Sequence, residues 1–376
     1  MTKRIGVKYI GPVFDPSGYA EANRNCIAAL HKAGVDVTVK VVSWDKARTD
    51  YGKTGEIVKS LVDRSIPYQF VIMHVGMEHC KKFHEQLKYN ISFPYWETSK
   101  TPELWIQNTP FMQEIWASCK WNAETYKRDG IKIPITVMPT PLDISEYDPK
   151  IEPLKIDGLG PDAYKFYAIG QWTERKNFLG LLKAYYAAFT SNDKVVLIIK
   201  SYRSNDSQSE QNIIKSEIQR MKIDMNMQNY PPVYFIGNIL PKEDMIRLNA
   251  LGDCFVLPTR AEGFGMPYAE AMLMGKPCIA TNYSSHLDFM NESNSYLIDC
   301  HEVPVAHMPW CGLYNGNQNW AQPHTLHCRD LMRHVYENRE EAIKKGEKAR
   351  KDMLANYNFT TVGQLMKNRL EAINVG

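Results

Sequence analysis

At 376 residues the chain is long enough for two ordinary domains, and a hydrophobic fraction of 44% with 23% charged residues is that of a globular protein with a sizeable core. A formal charge of +3 is too small to announce a polyanionic partner. The eight cysteines contain no C-x-x-C pair and several sit in apolar runs such as DCFVLP, which argues against a disulfide scaffold and for reduced, buried thiols.

The opening run RIGVKYI reads as a strand, not as the apolar core of a secretion signal. No stretch approaches about 18 uninterrupted apolar residues. A cytoplasmic protein with no transmembrane segment is expected. Further strand-like runs follow in VDVTVKVV, QFVIMHV, ISFPYW, EIWAS and ITVMP. Helical patterns lie between several of them, for example YAEANRNCIAALHKAG over 19–34, closed by a glycine where a helix should stop. This alternation predicts βαβ units and a parallel sheet.

The rhythm breaks over 139–163, where proline, glycine and acidic residues crowd together as in an interdomain linker. It resumes with YKFYAIG, KVVLIIK, PVYFIG, DCFVLP and KPCIAT. The reading is an α/β chain with a first domain over 1–150 and a second over 151–357. A C-terminal helix within 358–376 is expected to return to the first domain. Residues 301–323 show no period and read as a long irregular loop. Two charged helices, LMRHVYENREEAIKKGEKARKDML and TTVGQLMKNRLEAI, should follow.

Chemistry concentrates in EGFGMPYAEAMLMGKPCIAT, residues 262–281. DCFVLP is a buried strand and PYAEAMLMG a helix with Pro267 at its first position. Glu262, Gly263, Phe264 and Gly265 then form the turn at the C-terminal end of a parallel strand, the edge where ligands bind in open α/β sheets. Glycines allow close backbone approach, and amides at a helix start favour phosphate. Glu270 is expected in the first turn, where its carboxylate can accept two hydrogen bonds from a ribose diol, while Glu262 can reach a sugar hydroxyl. Taken singly, each glutamate has a plainer reading: Glu270 as a complement to the helix dipole and Glu262 as a solvated loop charge.

The string E-G-F-G-x-P-x-x-E-A-M-x-x-G-x-P-x-I-A-T resembles the signature of family 4 of the glycosyltransferases, retaining enzymes with an E-x7-E motif. The resemblance implies the GT-B fold, two Rossmann-like domains with parallel sheets facing across a cleft. It also implies that Glu262 contacts the transferred sugar, Glu270 the nucleotide ribose, and the Gly263–Phe264–Gly265 amides the sugar and diphosphate. AIGQWTERKNFLGLLKAYYAAF resembles the family's G-R-x-x-x-x-K-[GN] element, in which Arg and Lys clamp the diphosphate. Lys176 matches. The family arginine is Gln171 here, which supplies no charge, and the neighbouring Arg175 is the candidate to compensate. FDPSGYAEANRN resembles the family's glycine-containing loop, with Gly18 approaching donor phosphates or acceptor. YWETSKTPELW places Glu97 near a position often held by histidine. Glu97 and His74 are the acceptor-side candidates, with Glu97 equally readable as a charge supporting the Trp96 and Trp105 packing.

His74, His79, Cys80 and His84 lack the spacing of a metal site, and no D-x-D occurs, so no metal and no cofactor are expected. The resemblance thus implies a metal-independent, retaining hexosyl- or pentosyltransferase using a nucleoside-diphosphate sugar. Its acceptor stays open among glycan, lipid-linked sugar, protein and modified nucleic acid. A phosphorylase or epimerase on the same fold, and a non-catalytic sugar-nucleotide-binding module, are the alternatives.

Overall fold

The computed structural model describes residues 4–43, 51–160, 162–306, 308 and 311–373. The chain divides into two compact units, one of Met1–Glu146 with Leu354–Gly376 and one of Tyr147–Met353. The division falls inside the proline-rich segment 139–163.

The first unit holds six parallel strands: β1 Gly6–Gly11, β2 Asp36–Val41, β3 Phe70–Met73, β4 Tyr89–Ser92, β5 Glu114–Ala117 and β6 Ile135–Val137. Their order is β2-β1-β3-β4-β5-β6, which reverses direction between β1 and β3. Strand β3 is buried along its whole length, as a parallel strand covered on both faces must be. The helix Gly18–Lys32 is capped by the Ser17 side chain and packs Cys26, Ile27 and Leu30 against β1 and β2. The last helix, Phe359–Ala372, belongs to this core through Val362, Met366 and Leu370. Gly363 lets it approach closely, since a Cβ there would meet the Ala29 carbonyl oxygen at 2.4 Å.

The second unit holds β7 Tyr164–Gln171, β8 Val195–Tyr202, β9 Val233–Ile236, β10 Cys254–Leu257, β11 Cys278–Thr281 and β12 Tyr296–Ile298. Read from one edge, the order is β9-β8-β7-β10-β11-β12, all parallel. This doubly wound order switches direction between β7 and β10, and ligands bind at such a switch, outside the carboxyl ends of the strands. Every strand-like run read from the sequence overlaps one of β1–β11, although ISFPYW contributes only its first two residues to β4.

Three expectations need correction. Residues 301–323 are not wholly irregular: β13 Cys300–Pro304 pairs antiparallel with β14 Asn319–Pro323, while 307, 309 and 310 lie outside the described residues. The hairpin is hard to read because HEVP offers one β-branched residue and ends on proline. The first charged helix is two helices, Thr325–Glu337 and Arg339–Asn356, broken at Asn338, whose side chain donates to the His334 carbonyl at 2.9 Å. Glu270 lies in the second turn of its helix, because Met266–Leu273 starts one residue before Pro267.

All eight cysteines are free thiols, six of them buried. Among the described residues no helix is long and apolar enough to cross a membrane, and no group of His, Cys, Asp and Glu is placed to hold a metal ion.

Candidate functional site

The switch point of the second unit carries a cluster of buried charge. Strand β7 ends at Gln171, and the next six residues lead to the helix Phe178–Ala188. Asn177 starts that helix in the left-handed region (φ 55°), accepting from the Gly180 amide through its side chain. Its amide nitrogen also donates to the Pro258 carbonyl just past β10, at 3.0 Å. The Arg260 amide donates to the Arg175 carbonyl at 2.7 Å. The two loops at the carboxyl ends of β7 and β10 are therefore tied together, so that their side chains meet.

Lys176 Nζ lies 2.7 Å from Oε1 and 2.9 Å from Oε2 of Glu262. Arg175 Nη1 reaches Oε2 at 3.2 Å and the Ala261 carbonyl at 2.7 Å. The Glu262 side chain is only 5% exposed and that of Lys176 9%. Burial pushes the Glu262 carboxyl up, but Lys176 and Arg175 outweigh it and hold the group below its ordinary range. Two cations against one carboxylate leave one positive charge at the sheet edge, a fit for an anionic ligand.

The main chain of Glu262 is held as firmly as its carboxylate. Its amide donates to Ser284 Oγ at 2.9 Å, and its carbonyl accepts from Ser285 Oγ at 2.5 Å. Ser284 does this from φ 71°, ψ −150°, a conformation nearly reserved for glycine. Fully buried His286 follows, its Nε2 2.6 Å from the Thr281 carbonyl. Burial lowers its pKa, so the ring is neutral and Nε2 is the donor. Sequence reasoning assigns the two serines of YSSHLDFM no role. The signal that could have found them is the small-residue turn directly after β11, beside the switch point.

The remaining turn residues shape the backbone. Gly265 begins the helix Met266–Leu273 at φ 98°, and a Cβ there would press on Tyr268 and His286 at 3.1 and 3.2 Å. Gly263 is buried, and the Phe264 ring packs on Phe289 with centroids 5.3 Å apart. Gln171 donates its side-chain amide to the Arg203 carbonyl at 2.7 Å. Glu270 meets two groups that the sequence did not suggest: Tyr147 Oη donates to Oε1 at 2.9 Å, and Lys242 Nζ stands 3.5 Å from the same oxygen.

The other candidates belong to the first unit. Gly18 is the exposed first residue of its helix, and a Cβ added there would meet nothing within 4 Å among the described residues. His74 follows β3, beside that sheet's own switch point, and is fully buried. Its Nδ1 shares a short hydrogen bond with Tyr9 Oη, and its ring stacks on Phe93 at 4.3 Å. Burial pushes its pKa down to about 3. Its Nε2 has no hydrogen-bond partner among the described residues. Glu97 is half-buried next to Trp96, whose ring meets Trp105 at 4.9 Å.

Comparison with known proteins bears on the fold that carries these residues. Residues 163–306 match the family described as glycosyl transferases group 1. Over 126 residues the chain is 32% identical to the O-antigen chain mannosyltransferase B of Escherichia coli, a match spanning 33% of this chain and 30% of that protein. The structure is similar to HepE of Anabaena in complex with UDP and glucose (TM-score 0.68, 13% identity, covering 98% of this chain and all of that one). It is also similar to the sucrose-phosphate synthase of Thermosynechococcus elongatus (TM-score 0.68, 13% identity, 98% and 99% covered). The pneumococcal O-GlcNAc transferase GtfA, in complex with UDP and GlcNAc, matches at TM-score 0.63 and 10% identity, with 98% and 99% covered. The chain has the GT-B glycosyltransferase fold, and residues 163–306 of its second unit are similar to the glycosyl transferases group 1 family.

Proposed function

We propose that this protein is a retaining, metal-independent glycosyltransferase of the family 4 type, moving a sugar from a nucleoside-diphosphate sugar to an acceptor hydroxyl. The observation that carries the reading is the meeting of Lys176, Arg175 and Glu262 at the β7–β10 switch point. The sequence match to a mannosyltransferase and the UDP-bound state of similar structures support the donor class.

Lys176 and Arg175 face the diphosphate, whose negative charge grows as the bond from the anomeric carbon to the phosphate oxygen breaks. Preorganised cations in a buried site stabilise that charge without reorganisation. Glu262 contacts the sugar and Glu270 the ribose. The acceptor oxygen attacks on the face from which the diphosphate departs, forming the new glycosidic bond, and the departing phosphate oxygen takes the acceptor's proton. Glu97 and His74, in the first unit, are the acceptor-side candidates.

The test is a screen of UDP-, GDP-, ADP- and dTDP-sugars for heat of binding and slow donor hydrolysis, with and without EDTA. One donor should bind and turn over in EDTA. Activity lost in EDTA and restored by Mn²⁺ would overturn metal independence. Binding without any turnover would favour the non-catalytic module.

A further inference from the structure

Glu270 is approached from two directions outside its own helix. Tyr147, where the chain joins the second unit, is 2% exposed and donates from Oη to Glu270 Oε1 at 2.9 Å. Lys242, the first residue of the helix Lys242–Leu251, places Nζ 2.8 Å from Tyr147 Oη, 3.5 Å from Glu270 Oε1 and 5.1 Å from the Tyr147 ring centre. Tyr147 is itself held by its backbone, because Arg350 Nη1 donates both to the Tyr147 carbonyl and to that of Leu273, at the end of the helix bearing Glu270. Side chain and main chain of Tyr147 are thus both pinned to one short helix.

We propose that Tyr147 and Lys242 are positioning residues for nucleotide recognition: they orient the Glu270 carboxylate toward the ribose diol of a nucleoside diphosphate. The inference rests on the donor-site reading of Glu270 and adds what fixes it. A glutamate side chain has three rotatable bonds, and a hydrogen bond to a diol is worth little if the carboxylate must first be ordered. Tyr147 and Lys242 each reach Oε1, and a carboxylate offers about four lone-pair positions, so a clamp at one oxygen is compatible with a diol bridging the group. The Lys242 ammonium also offsets the cost of burying a carboxylate, whose ionised form accepts two hydroxyl donors. Ribose selectivity in this chain is therefore set by residues 123 and 28 positions away from Glu270 (270 − 147 and 270 − 242).

The experiment is calorimetric titration of wild type, Tyr147→Phe, Lys242→Met and Lys242→Arg with UDP, GDP and their 2′-deoxy forms, with melting temperatures as the folding control. Wild type should prefer the ribose form of its nucleotide about tenfold, the equivalent of one charge-assisted hydrogen bond. Tyr147→Phe and Lys242→Met should lose most of that preference, chiefly through weaker binding of the ribose form, and Lys242→Arg should retain part of it. Unchanged preference in folded variants would overturn the inference while leaving the donor site standing. Equal weakening of ribose and deoxyribose forms would also overturn it, since that is what a purely structural role produces. Failure of wild type to bind UDP, GDP, ADP or dTDP would overturn the donor-site reading, and this inference with it.

Discussion

Lys176 and Glu262, 86 residues apart in the chain, share a bidentate contact in which one ammonium touches both oxygens of one carboxylate. The pair is buried, and Arg175 adds a second cation at Oε2. On the proposed donor-site reading, a diphosphate arriving here would compete with Glu262 for both cations. The two residues should therefore fail differently when truncated.

Glu262→Ala removes the carboxylate that balances Lys176 and Arg175, and breaking a buried pair this way costs about 3–5 kcal/mol. The melting temperature should fall. Addition of the wild type's preferred nucleoside diphosphate should then raise it by more than in wild type, because the ligand restores the missing negative charge. Thermal scans with and without nucleotide check this; equal shifts in both proteins would remove Glu262 from the charge balance of the site.

Lys176→Ala should slow transfer about 10²–10³-fold, as loss of a preorganised electrostatic donor does elsewhere. It should weaken the bare diphosphate as well. Glu262→Ala should slow transfer without weakening that affinity, so steady-state rates and calorimetry on the two variants separate a sugar contact from a phosphate contact.

His74 links the first unit to pH. Its folded pKa is pushed down to about 3 from an ordinary 6.5, so the unfolded chain takes up a proton that the folded chain refuses. Stability contributed by the neutral ring is complete above pH 6.5 and is lost as the pH falls toward 3. His74→Asn should flatten the acid limb of the stability curve across that window relative to wild type. Parallel curves in urea titrations would show that His74 is not titrating in this way.

Ser284 separates backbone strain from hydrogen bonding. Glycine there loses the Oγ that receives the Glu262 amide but relieves a backbone at φ 71°. Alanine loses the same oxygen and keeps the strain. Ser284→Ala should therefore be less stable than Ser284→Gly by about 1 kcal/mol or more. Denaturant unfolding of the two variants measures the difference directly.

The α/β class was legible because its signals are local. An apolar run such as KVVLIIK announces a strand buried on both faces, and a closing glycine marks a helix end, whatever the rest of the chain does. The residue string around Glu262 was legible for the same reason, since turn, proline and helix lie within a few positions. Three features depended on distant partners and had no local period to betray them: the β13–β14 pairing, the Ser284 and Ser285 bonds to Glu262, and the approach of Tyr147 and Lys242 to Glu270. The placement of Glu270 shows the same limit at short range. Proline suits the first position of a helix, yet Gly265 at φ 98° lets the helix begin at Met266 and moves the glutamate into the second turn. Sequence alone determined where strands β1–β11 would fall, because burial and backbone preference act residue by residue. Which charges face one another was decided only by the strand order, because it is the β7–β10 adjacency that closes 86 residues of chain into one ion pair.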